Sequence, residues 1–290
     1  MRSGIEKVLP TSAREIVRRV FEKASNFYLR RLQHVTRSGF SHAYIRGEGI
    51  EFGALNSPLP VAKGVVVRYA DRYTNAFMQA RHEGMPKDLK PLTYITNLET
   101  CEGIPDASQD FIIANHVVEH LENPLLAIQN MLRILKVGGI VFLALPDRRF
   151  TFDFDRDLTT FEHLLSDYEN GPAGSRFGHY LEISEKLFGL AGAEARAFAE
   201  QLDEDGLDAH FHVWEQHTAM EMMLRCKTQL GFPLEILVNS NYPNETLFIL
   251  RKIDLSAPLP RPETTSLFSV EKHRRAKWVE EQIGNERNQN

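Results

Sequence analysis

Between Gly47 and Asp147 short β-branched or apolar runs alternate with stretches of helical spacing, and this rhythm constrains the fold more than any other feature of the chain. Ile50-Glu-Phe-Gly53 reads as a strand ending on a glycine. Val65–Ala70 reads as a second strand, stopping at Asp71, and Thr74–Glu83 as a helix. Leu92–Thr96 and Phe111–Ala114 are further short strands. Pro124 suits the first turn of a helix whose buried side carries Leu125, Leu126, Ile128, Met131, Leu132 and Leu135, and Val137-Gly-Gly139 stops it. Ile140–Leu145 is apolar throughout, as a strand buried on both faces must be. Strand–helix alternation of this kind folds into a parallel sheet covered on both sides, so the expected class is α/β.

The rhythm lapses over residues 147–213, which are rich in aromatics, Asp, Arg and His; helices are expected there over 159–169 and 182–201. It resumes with a helix at 218–230 and strands at 234–239 and 246–252, the last two joined as a hairpin through Asn241–Glu245. Ahead of it all, residues 12–34 read as a helix capped by Thr11 or Ser12, with Ile16, Val17, Val20, Phe21, Ala24, Phe27 and Leu32 near helical spacing. Arg14, Arg18, Arg19, Arg30 and Arg31 make that helix basic. The organisation expected is a helical segment at 1–46, a main domain at 47–255 with 147–213 inserted, and a tail at 256–290 with a charged helix near 269–283.

Composition narrows the function classes. Thirty-four basic against 39 acidic side chains leave a net charge of −5, which disfavours nucleic acid as the partner. No apolar run reaches the ~18 residues of a membrane span. The first residues lack the apolar core of a secretory signal, and Cys101 and Cys226 read as reduced thiols, so the expected location is cytoplasmic.

In an open α/β sheet, ligands bind at the carboxyl ends of the strands. Glu51 and Gly53 stand at the first such end, and Asp71 stands at the next, 20 residues on, where a carboxylate can take both hydroxyls of a ribose. Polar groups recur after the fourth strand at Asn115 and His116, with Glu119-His120 following. The ordered set Ile104-Pro-Asp106, Ser108, Asp110-Phe111, Ala114, His116, Glu119-His120, Asn123-Pro124, Leu132-Arg133, Leu135-Lys136 and Gly138-Gly139 resembles the class I S-adenosylmethionine-dependent methyltransferases of the type 11 group. The likeness runs from Gly47 to Pro146, and the closing helix, Gly231-Phe232 and strand pair also fit. More narrowly, Leu145–Asp153 and His210-Phe-His-Val-Trp214 resemble bacterial members associated with cell-surface polysaccharides or secondary metabolites.

The resemblance implies a Rossmann-like seven-stranded sheet in the order 3-2-1-4-5-7-6, with strand 7 antiparallel, and S-adenosylmethionine as cofactor. It implies Glu51, Gly53 and Ala54 at the methionine end, Asp71 on the ribose, Leu98 and Glu99 flanking the adenine, and Asn115 and His116 closing the site. The chain departs from the family pattern in two places. Leu55 and Ser57 replace the second and third glycines of the loop, and Pro58 and Pro60 then shorten or replace the helix that normally opens there. Thr96 and Asn97 stand where an acidic pair is expected.

Methyl transfer to a hydroxyl gains from a general base, and histidine suits that role near neutral pH. The candidates are His163, which shares a helix face with Asp167 at i+4, and His210 and His212, which in an extended segment point to one side. His120 reads as packed or capping. A His-x-His pair with His179 is too little to imply a metal, and none is expected. Arg148 and Arg149 either fork onto an anionic acceptor or pair with Asp153, Asp155 or Asp157. The expected activity is O-methylation of a small molecule, sugar, nucleotide-sugar or natural product. A catalytically silent methyltransferase fold is the alternative. A nicotinamide-dependent enzyme is disfavoured because no Gly-x-Gly-x-x-Gly follows the first strand.

Overall fold

The computed structural model describes residues 31, 33–81, 86–242 and 244–256. Helix α1 (residues 33–44) leads into β1 (Glu48–Phe52), β2 (Val66–Asp71), α2 (Asn75–Arg81), β3 (Tyr94–Ile95) and β4 (Gln109–Asn115). Then come α3 (Pro124–Ile134), β5 (Leu135–Pro146), α4 (Phe161–Asn170), α5 (Arg176–Lys186), α6 (Gly192–Asp205), α7 (Gln216–Thr228), β6 (Leu234–Tyr242) and β7 (Glu245–Lys252). The seven strands form one sheet in the order β3-β2-β1-β4-β5-β7-β6, parallel except for β7, which runs antiparallel to both its neighbours. This is the Rossmann-like sheet that the resemblance implies.

Period two along the central strands sorts side chains onto two faces. Ile50, Phe52, Ile112, Ala114, Val141, Leu143, Leu145, Phe248 and Leu250 pack with α3, α4 and α7. Phe111, Ile113, Phe142, Ala144, Leu247 and Ile249 pack on the other side, under Phe40 and Tyr44 of α1 and Leu59, Val61 and Val65 of the loop after β1. That loop contains no helix, as Pro58 and Pro60 lead one to expect. It is tied to α1 by the Ser41 hydroxyl, which donates to the Pro60 carbonyl.

The segment 147–213 builds a small core of its own from Tyr180, Ile183, Ala199, Leu202 and Phe211. Where the spacing predicts one helix over 182–201, the structure has two. The chain leaves α5 at Leu187 and turns through Gly189 at φ +68° before α6 begins. The left-handed glycine lets the second helix fold back on the first.

A second difference lies at β5. Helix α3 ends at Ile134, and Leu135 is already extended and paired with Gln109, so the strand starts five residues before Ile140. A register shift between Gln109 and Phe111 absorbs the difference. Gly139 is required there, because a Cβ would meet the Lys136 carbonyl at 2.9 Å.

The helix expected over 12–34 lies almost wholly outside the described residues, as does the one near 269–283. The chain divides into units at residues 1–253 and 254–290. Of the second, only Asp254–Ser256 are described, and there the Ser256 N–H and hydroxyl donate to the Asp254 carboxylate.

Candidate active site

A cavity of about 270 Å³ opens at the carboxyl ends of β1, β2 and β4. Phe52, Met78, Leu98 and Leu121 supply apolar wall, and Asp71, Asn97, His116 and His120 supply polar groups. Gly53 sits at φ +65°, and a Cβ there would meet Val117 at 2.7 Å. Only glycine leaves this space to a ligand. Leu55 holds φ +48° at the place of the family's second glycine and lines the same cavity, so the departure in sequence is borne as backbone strain. His116 is likewise held at φ +54°, its Nε2 2.9 Å from the Glu245 carboxylate.

Of the residues expected at the cofactor, Gly53, Asp71, Leu98 and His116 line this cavity; Glu51, Ala54, Glu99 and Asn115 do not. Alternation along β1 turns Glu51 away from Phe52, onto the α1 face, where its carboxylate accepts from the Leu59 N–H at 2.8 Å. Burial there pushes its pKa up to about 7, against the Leu59 bond and the Arg37 and Lys90 charges. Glu99 accepts from the Asn123 N–H at 2.8 Å and so anchors the start of α3. Asn115 ends β4 with its Oδ1 buried and without a hydrogen-bond partner.

The residues present fit S-adenosylmethionine. Asp71 lines the cavity where the resemblance implies a ribose, its pKa raised by burial against bonds from the Tyr73 and Arg72 amides. Leu98 is buried and supplies apolar wall to the same cavity, and Gly53 leaves the approach from β1 open.

Sequence reasoning missed the far wall. Asp208, from the loop after α6, enters the cavity lining and accepts from Arg72 at 2.8 Å; its Oδ1 is 3.0 Å from Nδ1 of His120. Burial depresses the His120 pKa, but the Asp208 bond and the Glu119 charge outweigh it and the net shift is upward. The His120 ring meets the His210 ring edge-on at 4.7 Å, and His210 Nδ1 lies 2.7 Å from the Asp153 carboxylate. Beneath them Glu119 is fully buried, neither carboxylate oxygen having a hydrogen-bond partner; His116 Nδ1 lies 3.7 Å away. The Glu119-His120 dipeptide was visible in the sequence; Asp208 had no local signal.

His163 and His212 belong to a different group. His163 Nε2 lies 3.2 Å from Asp167 Oδ2, the i+4 neighbour expected on its face, and 3.1 Å from His179 Nε2. The His212 ring is 5.0 Å from that of His179. His210 and His212 therefore do not act as a pair. The amides of Phe211 and His212 both donate to the Glu119 carbonyl, which a regular strand with alternating N–H directions cannot do. Among the described residues, two groups have metal-ligand spacing: His163, Asp167, His179 and His212, and Glu119, His120 and His210. The sequence suggested neither set. Arg148 pairs with Glu215 at 2.9 Å, and Arg149 forks onto Asp147 at 2.9 and 2.6 Å, so both arginines are engaged internally.

Residues 49–143 match the methyltransferase domain family. Among curated proteins, none matches the chain. Solved structures similar to it include a methyltransferase from Thermotoga maritima described as a possible histamine N-methyltransferase, at 16% identity and a TM-score of 0.43, covering 81% of this chain and 96% of that one. A methyltransferase from Methanosarcina mazei aligns at 17% identity and 0.39, covering 73% and 95%. An arsenic(III) methyltransferase from Chlamydomonas reinhardtii aligns at 13% and 0.39, covering 73% and 65%. No helix among the described residues is long and apolar enough to cross a membrane.

Proposed function

We propose that this chain, whose residues 49–143 form a class I S-adenosylmethionine-dependent methyltransferase domain, methylates a hydroxyl oxygen of a small-molecule acceptor such as a sugar, nucleotide-sugar or natural product. The observation that carries the reading is the His120–Asp208 pair in the cavity wall, backed by the His210–Asp153 pair. When bound, S-adenosylmethionine supplies an electrophilic methyl group on a sulfonium.

Asp71 would take the ribose hydroxyls, Leu98 would pack on the adenine, and Gly53 and His116 would bound the opposite side of the site. His120 accepts the acceptor's proton at its Nε2 while Asp208 holds Nδ1, which fixes tautomer and orientation. His210 packs against that ring and shields it from water. His163 and His212 take no part in this step. Glu51 and Glu99 act indirectly, by fixing the loop after β1 and the start of α3.

The test is a panel of hydroxyl, amine and thiol acceptors with isotopically labelled cofactor, followed by His120→Gln and His210→Gln on the acceptor found. Loss of a general base costs about 10²–10⁴-fold in turnover. His120→Gln should show that loss with cofactor affinity changed less than tenfold, and His210→Gln a smaller one. Full turnover in His120→Gln, or methylation of amines alone, overturns the reading.

A further inference from the structure

We propose that His163, Asp167, His179 and His212 form a closed site for a zinc-class divalent cation that fastens α4, α5 and the segment before α7 to one another. The proposal does not rest on the methyltransferase reading, because none of these side chains lines the cavity.

The geometry is that of a coordination sphere. One ligand atom from each side chain lies within 4.8 Å of all the others. Around tetrahedral zinc, with bonds near 2.0–2.1 Å to nitrogen or oxygen, neighbouring ligand atoms stand about 3.3 Å apart. The two separations resolved here are 3.1 Å, from His163 Nε2 to His179 Nε2, and 3.2 Å, from His163 Nε2 to Asp167 Oδ2.

Two buried atoms of the group are without a hydrogen-bond partner. Asp167 Oδ2 approaches His163 outside hydrogen-bonding geometry, and His212 Nδ1, on a ring with no exposed surface, approaches nothing that satisfies it. A buried polar atom left in that state is costly, and a cation in the centre would satisfy both.

The surroundings favour the same conclusion. The other Asp167 oxygen is occupied by the Ser175 hydroxyl at 2.7 Å, which leaves Oδ2 facing the histidines, as an outer-shell partner orients a ligand. Three imidazoles and one carboxylate, with no thiolate, suit zinc and its transition-metal neighbours; magnesium and calcium prefer all-oxygen shells. With four protein ligands no position is left for a reactive water, so the site is structural. It draws on α4, α5 and the stretch that also carries His210 to His120, and so stiffens the wall of the cavity.

The experiment uses the full chain, freed of any affinity tag, purified without chelator and assayed for metals by mass spectrometry. One equivalent of zinc or a neighbouring transition metal is expected. After chelator treatment, zinc chloride should raise the thermal midpoint by roughly 5–10 °C at a thousandfold excess over Kd, whereas magnesium chloride should not. X-ray absorption should give a shell of nitrogen and oxygen without sulfur. His179→Gln should lose the metal and the midpoint response together. Ser175→Ala, which keeps every ligand, should weaken zinc binding about 10–100-fold. A chain that takes up no metal and shows no shift overturns the proposal. So does metal that survives His179→Gln and leaves on His210→Gln, which would place it at the Glu119 group.

Discussion

The sheet and the segment 147–213 solve the same problem by opposite means. Along β4, β5 and β7 the central positions are buried and apolar on both faces. In the inserted segment Asp153, Arg156, Asp167, Ser184 and His212 are as buried as any leucine. Arg156 is 1% exposed and holds Asp153 at 2.9 Å, Glu182 at 2.8 Å and the carbonyls of His210 and Phe211. A sheet gains stability from area removed from water, which tolerates exchange of similar shapes. A charge network gives position, and tolerates no missing partner.

The largest effect expected follows from that contrast. Arg156→Met should destabilise by about 3–5 kcal/mol, because it breaks a buried ion pair and leaves the Asp153 carboxylate with His210 and Thr151 as its remaining partners. Phe142→Ala, in the middle of β5, should cost a similar 3–5 kcal/mol. The two should differ in reach. Native-state hydrogen exchange should show Arg156→Met opening amides of 147–213 while β4 and β5 keep their protection, and Phe142→Ala lowering protection everywhere. If Arg156→Met opens the sheet equally, the two regions are one cooperative unit and the contrast breaks.

This contrast also sets what the sequence disclosed. The strands and helices of the sheet region follow from apolar periodicity, because each strand's environment is written in its own residues; the strand order came only from the resemblance carried by the motifs around His116 and Gly138-Gly139. Gly53 and Asp71 in the cavity wall were legible as strand ends, whereas Leu98 came only from the resemblance. Asp208 acts through His120 and Arg72, and Arg156 through Glu182, partners 26 to 136 residues away, and no local pattern announces such pairs. The sequence grouped His210 with His212 by spacing. The backbone separated them, since the bonds that decide this run to the Glu119 carbonyl. Glu51 was misread in direction only: the strand period that buries Phe52 at the cavity turns Glu51 away from it.

Glu51 is the sheet's own exception, a buried acid on the loop-covered face, and it sharpens the comparison at the next level of effect. Its folded pKa of about 7 lies above the ordinary 4.5, so the folded state holds this proton more tightly than the unfolded chain. The sign follows: the stability contribution is fully present below about pH 4.5 and is lost as pH rises through about 7. A shift of this size corresponds to roughly 3 kcal/mol. Glu51→Gln should remove most of that slope, giving urea midpoints nearly flat between about pH 5 and pH 8 and above wild type at the upper end. A variant that titrates like wild type would show that the carboxylate is already ionised at pH 5.

The smallest effect tests the seam itself. Asn123 belongs to both regions: its Oδ1 caps α3 by accepting from the Leu126 N–H at 3.0 Å, and its Nδ2 donates to the Asp167 carbonyl at 2.9 Å. Asn123→Ser keeps a capping oxygen and removes only the bond to α4, so it should cost about 1 kcal/mol, the net worth of one hydrogen bond. Asn123→Ala removes the cap as well and should cost about 1 kcal/mol more. The two parts can be told apart by where they act. The serine variant should loosen amides of α4 and leave the first turn of α3 protected, because the cap that orders that turn is intact. The alanine variant should loosen both. Equal losses in the two variants, with α4 undisturbed, would mean that the cap alone matters and that α4 is held by its apolar contacts with α3 and α7. In that case the inserted segment would rest on the sheet domain through packing, and its polar network would serve position within the segment alone.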